Sequence, residues 1–439
     1  MKIEDIFEKI TGTKNALEWA ECFVKKKGIY FDNIKIWWCW DAVIFAHKQL
    51  DKTDLFVTIQ EEYKIPLIIN PRFEKAAIDA LQIMGRKNKP KELSVEWVQF
   101  KDTVVNVLTG ETIKANKDLL LTNPIPWAIG ESEDTPTIDK MFGAWVGNDN
   151  IQILHEINAY ALLRDYFIRR VFCLFGEGSN GKTTFLEFMS IFFGEKNMTT
   201  TDLEVLLSSR FESIKLYRKL VCVVGETNFK VLERTGLLKQ LTGNDKLRFE
   251  QKFHNSFDGK SYAKLVIASN SLPVTMDKTH GFYNRWLIID FPNKFKEKRN
   301  ILAEIPQKEY ENLCKKYIRI AKQLIQTSGF TKEPSFEERK KTYEAKSNPL
   351  PDFVNEYYVK DPNGEVLLQD LFNKYVEYIG HQKMRKPTKN EFTRILRDEG
   401  HEISRKNVTC DDGEKTTANI VRGLKVKGEA LPKITWNNI

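Results

Sequence analysis

One eight-residue segment constrains this chain more than any other: Gly176-Glu177-Gly178-Ser179-Asn180-Gly181-Lys182-Thr183. It fits GxxxxGK[ST] in full. It lies between a short apolar run, Arg170 to Phe175 (RVFCLF), and a helical run, TTFLEFMSIFF. Glycines let a backbone wrap phosphate oxygens, and at a helix N-terminus the N–H groups point inward at the anion. A lysine at the seventh position neutralises the β- and γ-phosphates, and the following hydroxyl holds Mg²⁺. A chance glycine loop would have no reason to follow a strand and open a helix. The expected nucleotide site is Gly176, Gly178, Asn180, Gly181, Lys182, Thr183 and Thr184.

The flanking sequence predicts the rest of an α/β unit. Ile151 to Leu163 has helical spacing, and LVCVV (Leu220 to Val224), LVIA (Leu265 to Ala268) and WLIIDF (Trp286 to Phe291) are short apolar runs. Runs of this length, separated by helical segments, suit a parallel sheet buried on both faces. Three residues at strand ends carry candidate chemistry. Glu226 follows what reads as the second apolar strand, where a carboxylate can polarise water or help hold a metal. Asn270 closes LVIAS, where a neutral amide can orient water, although such an Asn is more often a turn former. Arg285 precedes WLIID, the place of a solvated rim residue or of an arginine finger reaching a neighbour's phosphates.

Composition bounds the remainder. The 439 residues carry 68 Lys plus Arg against 60 Asp plus Glu, a net charge of +8, with 41% hydrophobic and 12% aromatic residues. This is a globular mixture with a mild basic excess that permits a nucleic-acid partner. The 6 cysteines are scattered without a CxxC pair, which argues against a zinc ribbon or a disulfide framework. No run approaches the roughly 18 to 20 apolar residues of a membrane span. The N-terminus, acidic and interrupted by charges, does not read as a secretory signal. The expectation is a cytoplasmic protein of the host-cell interior with no membrane partner.

Residues 1–95 show helical apolar spacing, and Trp37, Trp38 and Trp40 read as packing rather than base stacking. Trp97 to Thr109 reads as a hairpin turning at Lys101-Asp102. Residues 301–346 read as charged helices. Beyond them, three helices (353–358, 366–379 and one opened by Pro387-Thr388) and a hairpin turning at Asp412-Gly413 suggest a winged helix. Between Lys383 and Lys406 this unit carries 8 basic residues against 4 acidic, a candidate phosphate-binding face. The expected domains are 1–148, 149–346 and 347–439.

Four segments in order, GEGSNGKTT, LVCVVGET, LTGNDKLRFEQKFHNSF and KLVIASNSLP, followed by NRWLIIDF, resemble the superfamily 3 helicases of small DNA viruses, plasmids and phages. Within them, the segments look like the phage/plasmid primase-helicase branch, related to the poxvirus primase-helicase. WVQFKDTVVNVLTG and LLLTNPIPW upstream also look family-like. The resemblance implies an AAA+-like P-loop NTPase core with a central parallel sheet, preceded by a mainly helical domain and followed by a winged-helix-like one. It implies a homo-hexamer that uses ATP and Mg²⁺ to move along single-stranded and forked DNA, with a primase or polymerase module as a further partner. Carried over by position, Lys182 and Thr183 are motif A, Glu226 motif B (metal ligands Thr183 and Glu226), Asn270 the sensor and Arg285 the trans finger. Lys252 and His254 fall near the tip of the family's DNA-contacting pore hairpin, and Asn255 to Gly259 reads as its turn. Many relatives have two adjacent acids at motif B, whereas Gly225 precedes a single Glu226 here. The competing expectation is an origin-binding or loading ATPase that uses ATP as an assembly switch.

Overall fold

The computed structural model describes residues 3–64, 71–225, 231–232, 235–250, 256–275, 277–296, 300–381, 386–409 and 415–427. At its centre is a five-stranded, all-parallel sheet. Its strands are labelled in chain order: β1 (Val171–Phe175), β2 (Met198–Thr201), β3 (Val221–Val224), β4 (Lys264–Ser269) and β5 (Trp286–Asp290). Their spatial order is β5-β1-β4-β3-β2. β4 therefore lies between β1 and β3, and the strand leading to Glu226, the second apolar one, is third in chain order because the polar β2 precedes it. β2 escapes an apolar-run reading because MTTT is an edge strand with only Thr201 buried.

Both faces of this sheet are covered, as its near-continuous apolar strands require. Phe172 and Leu174 of β1 pack on one side with the helix Lys182–Phe193 (α1) and the helices Pro136–Val146, Ile151–Ala161 and Gln307–Thr327. Val171, Cys173 and Phe175 face the other side, in a core that continues without a break into residues 350–424. Those residues form the helix Leu350–Tyr357, strand Tyr358–Leu367, helices Leu368–His381 and Lys389–Asp398, and strands Ile403–Thr409 and Lys415–Val426. The last two strands and Tyr358–Leu367 make one antiparallel sheet with Lys415–Val426 in the middle. Val366 and Leu367 belong to this added strand, so the helix expected from 366 starts at Leu368. The expected turn at Asp412-Gly413 lies outside the described residues.

Toward the N-terminus, four helices surround a three-stranded antiparallel sheet that holds the tryptophan cluster. Trp37 and Trp38 are buried, and the Trp38 indole donates to Asp32 Oδ2 at 2.8 Å. They are packing residues. The 97–109 hairpin forms as Trp97–Phe100 and Thr103–Asn106, turning at Lys101 in the left-handed region, with Thr112–Lys114 as a third strand. Among the described residues no helix is long and apolar enough to cross a membrane.

A buried lysine stands at the start of β4. Lys264 Nζ donates to Leu163 O at 2.7 Å and Tyr262 O at 2.9 Å, and lies 4.5 Å from the Tyr160 ring centre. Burial pulls its pKa down to about 7, against the two carbonyls and the ring face, which favour the ammonium form. It ties the central strand to the end of the Ile151–Ala161 helix.

Candidate functional site

The Gly176–Gly181 loop leaves β1 at its C-terminal end and enters α1 at Lys182. Its shape requires two of its three glycines. A Cβ on Gly176 would lie 2.0 Å from Asn180 Nδ2 and 2.7 Å from Phe291 O, and one on Gly181 would lie 2.4 Å from Trp145 Cδ1. Gly181 also has φ +91°, and Ser179 has φ 60°, so the loop turns through left-handed backbone as an anion-cradling nest does. Gly178 has open space around its Cα and no positive φ, so it is not held by local sterics.

Lys182 is buried, and its ammonium reaches back over the loop to Gly176 O (2.6 Å), Glu177 O (3.0 Å) and Asn180 Oδ1 (3.0 Å). Asn180 in turn donates from Nδ2 to Phe291 O at 3.0 Å. That amide fixes both the lysine and the loop to the segment following β5. The same segment supplies Phe295 N–H to Ser179 O at 2.8 Å and a Lys294–Glu177 ion pair. Thr183 is exposed in the first turn of α1, and Thr184 is half-buried. A cation held by carbonyls above a left-handed, glycine-shaped loop at a helix N-terminus fits a polyphosphate, and Thr183 offers a hydroxyl to a metal bound with it.

Sheet register brings Asn270 to the same place. Ser269 pairs with Phe175, and Gly176 N–H donates to Ser269 O at 3.2 Å, so the residue after Ser269 adjoins the start of the loop. The next turn is braced from the other face of the sheet. Tyr343 donates from its hydroxyl to Pro273 O at 2.8 Å, and Leu272 N–H donates to Lys346 O at 3.4 Å. β3 is described as far as Gly225. Glu226 lies outside the described residues, as do Lys252 and His254. Among the described residues no group of three or more His, Cys, Asp or Glu side chains is arranged to hold a metal ion.

Arg285 is elsewhere. It precedes β5, and its carbonyl accepts from Val171 N–H at 2.6 Å, which puts it at the N-terminal edge of the sheet. Its own loop is at the C-terminal edge. Six residues of extended chain separate Arg285 from Phe291, roughly 20 Å at the rise of a strand. The Arg285 guanidinium is oriented by Thr242 Oγ1 (2.8 Å from Nε), Lys239 O (3.2 Å from Nη2) and Gly281 O. Burial lowers its pKa, with the Arg169 charge acting in the same sense, and it stays protonated throughout the physiological range.

The hairpin expected between motifs B and C is present with different arms. Lys246–Phe249 pairs with Phe257–Lys260, so 257–259 are strand rather than turn, and the Phe249 and Phe257 rings stack at 5.1 Å. The strand that follows the hairpin, Lys264–Ser269, belongs to the main sheet. Sequence reasoning also missed Trp145 and the Phe291–Phe295 segment as walls of the loop. Trp145 comes from the Pro136–Val146 helix, and the Phe291–Phe295 segment reaches the loop because β5 pairs beside β1.

A family model described as a family of unknown function (DUF5906) matches residues 174–285, from within β1 to Arg285 itself. No curated protein matches the chain. Among solved structures, the chain is similar to the A-form apo structure of the NrS-1 C-terminal region, with TM-score 0.47 and 16% identity over 92% of this chain and 98% of that one. A second A-form structure of that region gives 0.46 and 16% over 93% and 100%. A further apo structure of it gives 0.45 and 17% over 93% and 100%. At these similarities the functional reading rests on the site.

Proposed function

We propose that the chain is an ATP-driven DNA helicase of the superfamily 3 type, acting in replication of a virus, phage or plasmid. The observation that carries this reading is the separation of Arg285 from the Lys182 loop across one sheet. The loop, Lys182 and Asn270 assemble at one edge, while the arginine that hydrolysis needs is fixed at the other. A complete catalytic centre then requires two copies of the chain, and repetition of that contact gives a ring, here a homo-hexamer.

In this reading the backbone N–H groups of residues 177–183 bind the triphosphate and Lys182 leaves its carbonyl partners to neutralise the β- and γ-oxygens. Thr183 and Glu226 hold Mg²⁺, which neutralises charge on the phosphates when bound. Glu226 polarises the attacking water, and Asn270 orients it without adding charge. Arg285 of a neighbouring copy meets the charge that develops on the transferred group. Lys252 and His254, which lie in sequence between the two arms of the hairpin, are the proposed contacts to single-stranded DNA in a central pore, with Lys252 the steadier phosphate contact because a neutral His gives no fixed charge. The helix-strand-helix-helix-strand-strand order of residues 350–426 supports a winged helix. Its exposed Lys389, Arg394 and Arg397 suit the duplex arm of a fork. A primase or polymerase module is the further partner in this reading.

Steady-state ATP hydrolysis with and without single-stranded DNA, together with strand separation on forks of either tail polarity, tests the proposal. Stimulated hydrolysis with unwinding is the expected result. ATP binding without unwinding on any fork would replace it with a loading or origin-binding switch.

A further inference from the structure

The strand pair on either side of Lys252 and His254 has no larger sheet to hold it. Among the described residues, Lys246–Phe249 and Phe257–Lys260 pair only with each other, and a two-stranded hairpin by itself is marginally stable in water. Side-chain packing therefore sets where it stands. Leu247 and Phe249 are buried, and Ser213 Oγ donates to Arg248 O at 3.3 Å. Phe249 and Phe257 form the last described pair before Lys252. Tyr217 meets both rings edge-on, with ring centres 5.8 Å from Phe249 and 5.3 Å from Phe257, a favoured arrangement of aromatic side chains.

Tyr217 faces the N-terminal unit as well. It packs against the core that holds Phe249 and against a separate cluster of Tyr30, Ile36, Trp38 and Leu120. Behind it, Arg218 donates from Nε to the Tyr217 hydroxyl at 3.2 Å. The same guanidinium lies 5.3 Å from the Trp38 ring centre and 5.5 Å from that of Tyr217, and such contacts strengthen when water is excluded. Arg218 has φ 54°, left-handed backbone that a residue with a Cβ disfavours, and its carbonyl accepts from Asn123 Nδ2 at 2.9 Å. Backbone of this kind persists where the surroundings over-determine it. Here three elements converge on it: the tryptophan sheet, the hairpin, and β3, which starts three residues later at Val221.

We propose that Tyr217 is a positioning residue for DNA engagement, the joint through which the N-terminal unit fixes the hairpin that flanks Lys252 and His254. The inference rests on the helicase reading and gives the first 95 residues a part in it. Trp38 and Arg218 hold the Tyr217 ring, the ring edge holds Phe249 and Phe257, and that pair sets where the residues between the arms meet single-stranded DNA.

The test uses full-length Tyr217→Leu, Tyr217→Phe and Arg218→Met chains. Three quantities are measured: ATP turnover without DNA, the concentration of single-stranded DNA that half-stimulates turnover, and hydrogen exchange across residues 246–260. Tyr217→Leu keeps apolar bulk in both cores and removes the ring edge. It should leave DNA-free turnover within about twofold, raise the half-stimulating DNA concentration about 3- to 30-fold, and speed exchange in 246–260 but not in 174–185. Arg218→Met, which fills similar space without the cation, should shift both in the same direction by less, and it carries the test if Tyr217→Leu does not fold. Tyr217→Phe keeps the ring and should stay near wild type. Unchanged DNA response or unchanged exchange in Tyr217→Leu would overturn the inference. So would Tyr217→Phe as impaired as Tyr217→Leu, or wild-type exchange in Arg218→Met. DNA-free turnover falling in step with the DNA response would also overturn it, since Tyr217 would then be general scaffold. Loss of the parent reading has a different signature: wild-type turnover indifferent to single-stranded DNA, or Lys252→Ala chains with a normal DNA response, overturn both together.

Discussion

The two edges of the central sheet are built from the same five strands and solve opposite problems. At the C-terminal edge the working groups are mostly backbone: a glycine-shaped loop, with one buried lysine folded over it and one buried amide pinning both. At the N-terminal edge they are side chains, arginines held by carbonyls, a threonine hydroxyl and a single glutamate. β5 belongs to both. Its leading residue is Arg285, and the residue after its end, Phe291, receives the Asn180 amide of its own loop. A strand that braces one half-site and carries the other is a rigid link between them. In the proposed ring, that strand links the loop of one chain to the arginine it offers the next.

The largest effect should come from breaking the backbone edge at its buried lysine. Lys182→Ala should reduce ATP turnover by about 10³-fold or more, with the fold retained by circular dichroism. Arg285→Ala should lower turnover by about 10³-fold while leaving ATP affinity close to normal in a binding titration, since no part of its own loop touches Arg285. Equal loss of affinity in both variants would erase the distinction between the edges. Gly181→Ala sharpens it differently. A Cβ there meets Trp145 at 2.4 Å in a backbone at φ +91°, so the loop edge should lose about 1–3 kcal/mol of stability in urea titrations. It should lose nucleotide affinity with it.

The smallest effect tests the scaffold behind the loop edge. Buried His155 bonds Asp139 Oδ1 at 2.7 Å and Tyr317 at 3.3 Å, joining helices Pro136–Val146, Ile151–Ala161 and Gln307–Thr327. Burial depresses its pKa below 6.5 despite the Asp139 hydrogen bond. As pH falls through 6.5 the unfolded chain therefore takes up the proton first. Stability contributed by neutral His155 is present above that pH and is lost below it, by at most about 1.4 kcal/mol per pH unit. Urea midpoints at pH 7.5 and 5.5 should separate in the wild type and draw together in His155→Gln.

How much of this was legible in the sequence follows the same division. The loop's course could be read because a strand, a GxxxxGK[ST] segment and a helix follow one another in the sequence, and the structure requires glycine at Gly176 and Gly181 though not at Gly178. Arg285 could be located but not explained, since only the strand order shows that its own loop is out of reach. β2 was missed because an edge strand can be polar, and the hairpin arms were displaced because Phe257 pairs with Phe249 rather than ending a turn. Trp145 carries no pattern, and Phe291 reads only as the end of an apolar run. Their roles come from what the fold brings beside them.

The central claim is that one catalytic centre is shared by two copies. Mixing equal amounts of Lys182→Ala and Arg285→Ala chains, each inactive alone, and measuring ATP turnover tests it most directly. Random assembly leaves about a quarter of the interfaces with an intact loop facing an intact arginine, so the mixture should recover a clear fraction of wild-type turnover. A mixture as inactive as its parts would contradict the account.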